Sequence, residues 1–267
     1  MTFAATLSSG PFETSNVTGL PGTGFLAVGF TGNSSVIQNS PDGTEWFAEY
    51  GDSSTKLRGL VAGEVTTDPG YGGMVTVTNT YGGSLRLIAV GARVVGNSGV
   101  VLVRDDNGAA WTERSIPGAT PGLWSVAQSP SRIVAVGESG SILTSSTSSD
   151  WSNAISLTST ALYGVAWNGT RFVTTGEAGT ILTSPDGLSW SNRPAPVTAN
   201  LRSVAWGGGR WLAVGDGGAM ATSTDGNVWF SLSSGVIVNL HDAVWTGSQF
   251  LVAGDDGVIL RGTGSGP

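Results

Sequence analysis

Residues 162–190 read LYGVAWNGTRFVTTGEAGTILTSPDGLSW, and residues 201–229 read LRSVAWGGGRWLAVGDGGAMATSTDGNVW. The second stretch starts 39 residues after the first, and the two align without a gap. A period of that length marks a repeat architecture, each unit being one supersecondary element that buries its apolar faces against its neighbours. Working outward, residues 123–151 give LWSVAQSPSRIVAVGESGSILTSSTSSDW and residues 240–260 give LHDAVWTGSQFLVAGDDGVIL. Residues 25–46, FLAVGFTGNSSVIQNSPDGTEW, form a further copy. A looser one begins at Leu57-Arg58-Gly59-Leu60 and resumes at LIAVGARVVGNSGVVLVRDDNGAAW, ending at Trp111, which brings the copies to six.

Each unit divides into four short strands. Leu-x-x-Val-Ala-Trp is the first, followed by a turn such as Asn168-Gly169-Thr170. Arg171–Thr175 is the second and ends at a recurring glycine: Gly29, Gly91, Gly137, Gly176, Gly215 and Gly254. That glycine predicts a tight turn with positive φ. Thr180–Ser184 is the third strand, and the fourth starts at Trp190. Between them lies Ser184-Pro185-Asp186-Gly187, with relatives Ser40-Pro41-Asp42-Gly43 and Ser223-Thr224-Asp225-Gly226. Proline presets φ, aspartate accepts local backbone N–H groups, and glycine takes the left-handed position. The Trp that follows (46, 111, 151, 190, 229) reads as a core aromatic packed between neighbouring sheets.

Four strands in each of six units predict an all-β, six-bladed β-propeller of four-stranded antiparallel blades, a single domain over residues 1–267. The blades fall at about 12–50, 51–115, 116–155, 156–194, 195–233 and 234–262. The Ser-x-Asp-Gly-x-x-Trp turn resembles a shortened Asp-box of the kind found in sialidase-like and photosystem-assembly-factor-like propellers, and the resemblance covers nearly the whole chain. The sixth copy stops after its third strand, at Leu260. Phe3-Ala4-Ala5-Thr6-Leu7-Ser8-Ser9-Gly10 is similar to the fourth strand Val228-Trp229-Phe230-Ser231-Leu232-Ser233-Ser234-Gly235. The N-terminal strand is therefore expected to close the last blade and remove its open edge.

Composition excludes several functions. The 42 Gly and the abundance of Ser and Thr disfavour helices, while 39% hydrophobic residues argue against a disordered tract. The net charge is −7 and Lys56 is the sole lysine, so no nucleic-acid partner is expected. With no Cys, disulfides, Cys-ligated zinc and thiol catalysis are excluded, and one His rules out a multi-His metal site. MTFAATLSSG has neither a basic n-region nor a long apolar segment, so no secretory signal is expected, and no run is apolar enough for a membrane span.

The resemblance implies one sharp catalytic test. Sialidase-like enzymes clamp a carboxylate with three arginines and use a Tyr-Glu pair and an acid Asp. The Arg-Ile-Pro signature is missing here; Arg132-Ile133-Val134 reads as strand core, and nothing in the spacing singles out Tyr163, Glu177, Arg58 and Arg202 as such a set. His241 is the only available base, without a nucleophile elbow. Asp255-Asp256-Gly257 and Asp105-Asp106-Asn107-Gly108 are oxygen-rich but fit no calcium loop and read as Asx turns. No enzyme activity, metal or cofactor is expected.

Aligning the copies shows which position changes. The second residue of the first strand is Asn16, Arg58, Trp124, Tyr163, Arg202 and His241 in turn. In a propeller the first strand is innermost, so these residues form a ring at one mouth of the channel. The second-to-third-strand turns bring Glu138, Glu177, Asp216 and Asp255 to the same face. Mixed aromatic, cationic and acidic groups around a concave opening suit a ligand site. The alternative is that Arg58 and Arg202 pair with turn carboxylates across neighbouring blades while Trp124 and Tyr163 fill the channel.

The composition resembles that of bacteriophage structural proteins. The leading expectation is a non-catalytic structural and binding propeller, a virion surface or tail component located in the virion, whose partners are other virion proteins or a host-surface glycan. Trp124 and Tyr163 would stack on the sugar. A bacterial assembly-factor-like interaction propeller is the alternative reading, with a sialidase-like glycosidase behind it. An insertion in the second blade, about residues 63–84, is expected to be a hairpin contacting a neighbouring subunit.

Overall fold

The computed structural model describes residues 13–20, 24–31, 34–40, 47–52, 55–64, 85–93, 98–105, 110–118 and 120–263, and most side chains from residue 98 onward. The first sheet holds β1 (Glu13–Leu20), β2 (Gly24–Thr31), β3 (Ser34–Ser40) and β4 (Phe47–Asp52). The second holds β5 (Thr55–Glu64), β6 (Leu85–Arg93), β7 (Gly99–Asp105) and β8 (Thr112–Glu113). The third holds β9 (Leu123–Ser129), β10 (Arg132–Gly137), β11 (Ile142–Ser145) and β12 (Ser152–Asn153). The fourth holds β13 (Leu162–Trp167), β14 (Phe172–Gly176), β15 (Ile181–Ser184) and β16 (Ser191–Asn192). The fifth holds β17 (Leu201–Gly207), β18 (Arg210–Gly215), β19 (Met220–Ser223) and β20 (Phe230–Ser231). The sixth holds β21 (Leu240–Trp245), β22 (Gln249–Gly254) and β23 (Ile259–Thr263).

Within every sheet the strands pair antiparallel with their neighbours in chain order. First strands of successive sheets pack side by side: β1 on β5, β5 on β9, β9 on β13, β13 on β17 and β17 on β21. Among the described residues, this is a succession of antiparallel meanders whose first strands lie side by side. Residues 1–12 and 65–84, where the closing strand and the second-blade insertion were expected, lie outside the described residues.

The core lies between sheets. Val173 and Ile181 of the fourth sheet share one cluster with Leu201, Val204, Trp211 and Trp229 of the fifth. Trp151, Trp190 and Trp229 are only 7%, 5% and 6% exposed, each packed against the preceding sheet, as the repeat implies. Their positions are set by the turn before them. Ser184 Oγ accepts Gly187 N–H at 2.7 Å, and Asp186 Oδ1 accepts Leu188 and Ser189 N–H at 2.8 and 2.9 Å. Ser223 and Asp225 repeat the pattern at 2.8, 2.8 and 3.0 Å. Gly187 and Gly226 both take φ 73°, the left-handed value expected of them.

The recurring glycine is a correction. Gly137, Gly176, Gly215 and Gly254 have φ −167°, −162°, −170° and −144°, so extended backbone replaces the expected positive φ. What requires glycine there is space. A Cβ on Gly176 would stand 2.2 Å from the Ala161 carbonyl oxygen, and one on Gly215 1.8 Å from that of Asn200. The left-handed residues come later in the turn, at Ala178 and Gly179 with φ 53° and 72°.

Candidate functional site

The first strands carry a feature that the repeat comparison alone did not name. Leu162 pairs with Gly176 and Gly164 with Thr175, so Tyr163 is an extra residue without a partner in the ladder. The same β-bulge falls at Arg58, Trp124, Arg202 and His241. A bulge bends its strand and re-aims the extra side chain. In β1 the shift lies between Thr14 and Asn16, so Ser15 holds the bulge. Asn16 pairs with Val28 and occupies the ladder place of Gly164 and Ser203, which removes it from the expected ring.

Around these bulges the described side chains form a connected mouth. Arg202 grips the turn carboxylate of its own sheet along one edge: Nε donates to Asp216 Oδ1 at 2.7 Å and Nη2 to Oδ2 at 2.9 Å. Its guanidinium also lies 4.8 Å from the centre of the Tyr163 ring in the fourth sheet. Trp124 of the third sheet meets Tyr163 edge to face, with centroids 5.7 Å apart and planes at 88°. In the sixth sheet, His241 Nε2 bonds Asp255 Oδ1. Trp124, Tyr163, Arg202, His241, Asp216 and Asp255 thus gather at one end of the sheets. Glu138 and Glu177 occupy the corresponding turns of the third and fourth sheets. The side chain of Arg58 is not among those described.

Two expectations change with this geometry. The arginine–carboxylate pair forms within one sheet rather than across neighbouring blades, because bulge and turn adjoin at the same end of a hairpin. And the Tyr163 ring carries the chain's own Arg202 over it, where a sugar was expected to stack.

The cross-sheet link is made by residues outside the expected set. Asn200 Oδ1 accepts Ala178 N–H of the preceding turn at 3.0 Å, while its Nδ2 donates to Asp216 Oδ2 at 2.9 Å. Asn239 does the same with Gly217 N–H and Asp255 Oδ2, both at 2.9 Å. The signal was available: Asn stands two residues before the bulge in the copies whose turn begins with Asp, and Gly122 or Ala161 in those that begin with Glu. Below the mouth, Ser125 Oγ accepts Val165 N–H at 3.2 Å, and Ser203 Oγ accepts Ala243 N–H at 3.3 Å.

The electrostatics follow the contacts. The Arg202 hydrogen bond, opposed by burial and aided by Asn200, holds the Asp216 carboxyl below the usual range. Asp255 is lowered chiefly by its hydrogen bond with His241. Burial raises the Tyr163 hydroxyl; Arg202 opposes that, while the negative charges of Glu177, Asp216 and Glu138 add to it. Asp242, which accepts from Ser203 Oγ at 2.7 Å, presents an exposed surface to water. Desolvation nevertheless raises its carboxyl, against the hydrogen bonds from Ser203 and Ala243. No group of three or more His, Cys, Asp or Glu side chains converges to hold a metal among the described residues. No helix there is long and apolar enough to cross a membrane.

No family model matches the chain, and no curated protein does. Solved structures do. A structure of YCF48 bound to D1 peptide is 18% identical with a TM-score of 0.60, covering 94% of this chain and 79% of that one. YCF48 from Cyanidioschyzon merolae is 17% identical with a TM-score of 0.55, covering 96% of each chain. A nidogen/laminin complex gives 10% identity and a TM-score of 0.58 over 82% of each. At such identities the likeness speaks for architecture. With its repeated four-stranded antiparallel sheets, the chain is an all-β protein of the β-propeller fold.

Proposed function

We propose that this chain is a non-catalytic protein-interaction propeller whose bulge-lined mouth takes up a segment of a partner protein. The observation that carries the reading is the convergence of Trp124, Tyr163, Arg202 and His241 on one end, at the positions where a bulge redirects side chains. Aromatic and arginine side chains are the commonest anchors of protein interfaces. Support comes from the similar YCF48 structure, which has D1 peptide bound. The similarities favour this second reading of the sequence over the first: they lend no support to a virion or tail component, to host attachment or to a glycan ligand.

Selection from a yeast-displayed library of short random peptides tests the reading. Binders that lose affinity for the Trp124→Ala and Tyr163→Ala variants are expected. Binders indifferent to both substitutions would place recognition elsewhere.

The proposal includes a ring of six blades closed by the N-terminal strand. The sixth sheet has three strands among the described residues, and its forward face is open. Val244 and Ile259 are 53% and 62% exposed, whereas their counterparts Ala205 and Met220 are 8% and 7% exposed beneath the following sheet. With the first sheet packed on that face and residues 3–10 pairing along β23, the sixth sheet would complete the pattern of the fifth. In that register residue 5 faces residue 261, as Phe230 faces Thr222. Mild oxidation of the variant Ala5→Cys with Arg261→Cys is expected to give an intramolecular disulfide. Free thiols or intermolecular links alone would contradict closure.

A further inference from the structure

Each described mouth turn begins with a carboxylate, but the sheets differ in what stands beside it. In the fifth and sixth sheets the bulge supplies a basic side chain, giving Arg202 with Asp216 and His241 with Asp255. In the third and fourth the bulge supplies Trp124 and Tyr163, beside Glu138 and Glu177. Glu177 Oε2 receives a long hydrogen bond from Ala161 N–H at 3.4 Å, and no ion pair reaches it among the described residues. The fourth sheet therefore presents an exposed carboxylate next to an aromatic ring, at the place where the fifth presents a satisfied salt bridge.

The chain itself shows how a cation is received at this mouth. The Arg202 guanidinium lies over the Tyr163 ring while Asp216 binds its edge through two hydrogen bonds. An aromatic face with a carboxylate is a favourable setting for a cation, because the ring quadrupole and the full charge attract it together. One sheet back, Trp124 stands where Tyr163 does and Glu177 where Asp216 does, but the bulge residue between them is Tyr163, edge to face with Trp124, so no basic side chain of the fourth sheet answers Glu177. The surrounding charge agrees. Among the described residues of the mouth, Glu138, Glu177, Asp216, Asp255 and Asp256 outnumber Arg202 and His241. An excess of that sign draws positively charged groups toward this end of the sheets.

We propose that the mouth receives a lysine or arginine side chain of the partner segment at the Glu177 carboxylate, beside the Trp124–Tyr163 pair. This rests on the reading of the mouth as the partner site and reverses the charge expected of its ligand. An anionic group is repelled by the same carboxylates, and the Arg202 cation that would meet it is already paired with Asp216 along one edge.

The test uses the full chain with two fluorescein-labelled peptides of equal length, one alternating glycine and arginine, the other glycine and glutamate. Anisotropy at physiological ionic strength is the readout. The arginine peptide is expected to bind, and Glu177→Gln to weaken it about ten-fold, equivalent to about 1.4 kcal/mol. Glu113→Gln, which removes the same charge from the outer strand β8, is expected to leave binding unchanged. Equal losses from Glu177→Gln and Glu113→Gln would mean attraction by net charge alone and overturn the proposal, as would absence of binding by the arginine peptide. Binding of the glutamate peptide that is lost on Trp124→Ala would overturn the cation assignment and leave the mouth standing. Binding of either peptide unchanged by Trp124→Ala would sink the mouth reading itself.

Discussion

The two ends of each sheet obey different rules. At the end away from the mouth, the third-to-fourth-strand turns repeat the same hydrogen bonds in the fourth and fifth sheets, to within about 0.1 Å. The third sheet keeps that geometry with different residues: Ser145 Oγ accepts Ser148 N–H at 2.9 Å, and Thr147 Oγ1 accepts Ser149 and Asp150 N–H at 3.2 and 3.3 Å in place of aspartate. Constant geometry from changing residues is what a structural turn requires, since each must deliver a Trp to the gap between sheets. At the mouth the backbone geometry is again constant, one bulge per first strand, but the side chains on it differ in size, charge and aromaticity. Uniform turns therefore mark the end that holds the fold together. Varied side chains on a uniform bulge mark the end available for recognition.

The largest expected effect breaks the structural end. Trp229→Ala removes an indole packed against Val173 and Ile181, together with its Nε1 hydrogen bond to the Gly226 carbonyl at 3.1 Å. Urea unfolding is expected to show a loss of about 3–5 kcal/mol. At the mouth, Gly176→Ala forces a Cβ toward the Ala161 carbonyl and is expected to cost about 1–3 kcal/mol by the same measurement, since backbone must shift to admit it. If the substitution is neutral, the space argument for the recurring glycine fails.

A smaller effect has the opposite sign. Ser148 holds φ 67° where the other turns use glycine, and its buried Oγ finds no partner among the described residues. Ser148→Gly relieves both costs and is expected to raise stability by about 1 kcal/mol, read as a higher melting temperature. Asn200→Ala removes the amide linking Ala178 to Asp216 and is expected to cost about 1 kcal/mol in urea unfolding.

The smallest effect is one of pH. Backbone N–H groups of Val228 and Asn227 lower the Asp225 carboxyl from 3.8 to about 2. Because the folded value lies below the unfolded one, the stabilisation is fully present above pH 3.8 and fades as pH falls toward about 2. The group is exposed to solvent, so the effect is modest. Asp225→Asn is expected to flatten the loss of stability across that window, and an unchanged acid limb would contradict it.

Much of this comparison was legible in the sequence. The period of 39 residues, the short strands and the Ser-x-Asp-Gly-x-x-Trp turn are local, and local rules of turn chemistry and alternation read them directly. The bulge was legible in principle. Leu162 and Val165 are three residues apart yet share one core cluster, which a regular strand of period two cannot do. Reading that spacing would have placed the first copy on Thr14 and Val17, with Ser15 between Thr14 and Asn16. The role of Gly176 was obscured because the collision it avoids is with Ala161, just before the adjacent strand. Asn200 and Asn239 were missed for a related reason: each bonds a turn of the preceding sheet 22 residues earlier, a contact that only the packing of sheets creates. The pairing of Arg202 with Asp216 was likewise hidden until the bulge set the two side by side.

The most direct test is an amide hydrogen-exchange footprint with a peptide selected for tight binding. The account expects slowed exchange at residues 122–125 and 161–164 and in the turns 177–179 and 216–218, with no change in the turns 184–190 and 223–229. Protection confined to 184–190 and 223–229, with the mouth exchanging as in the free protein, would contradict it.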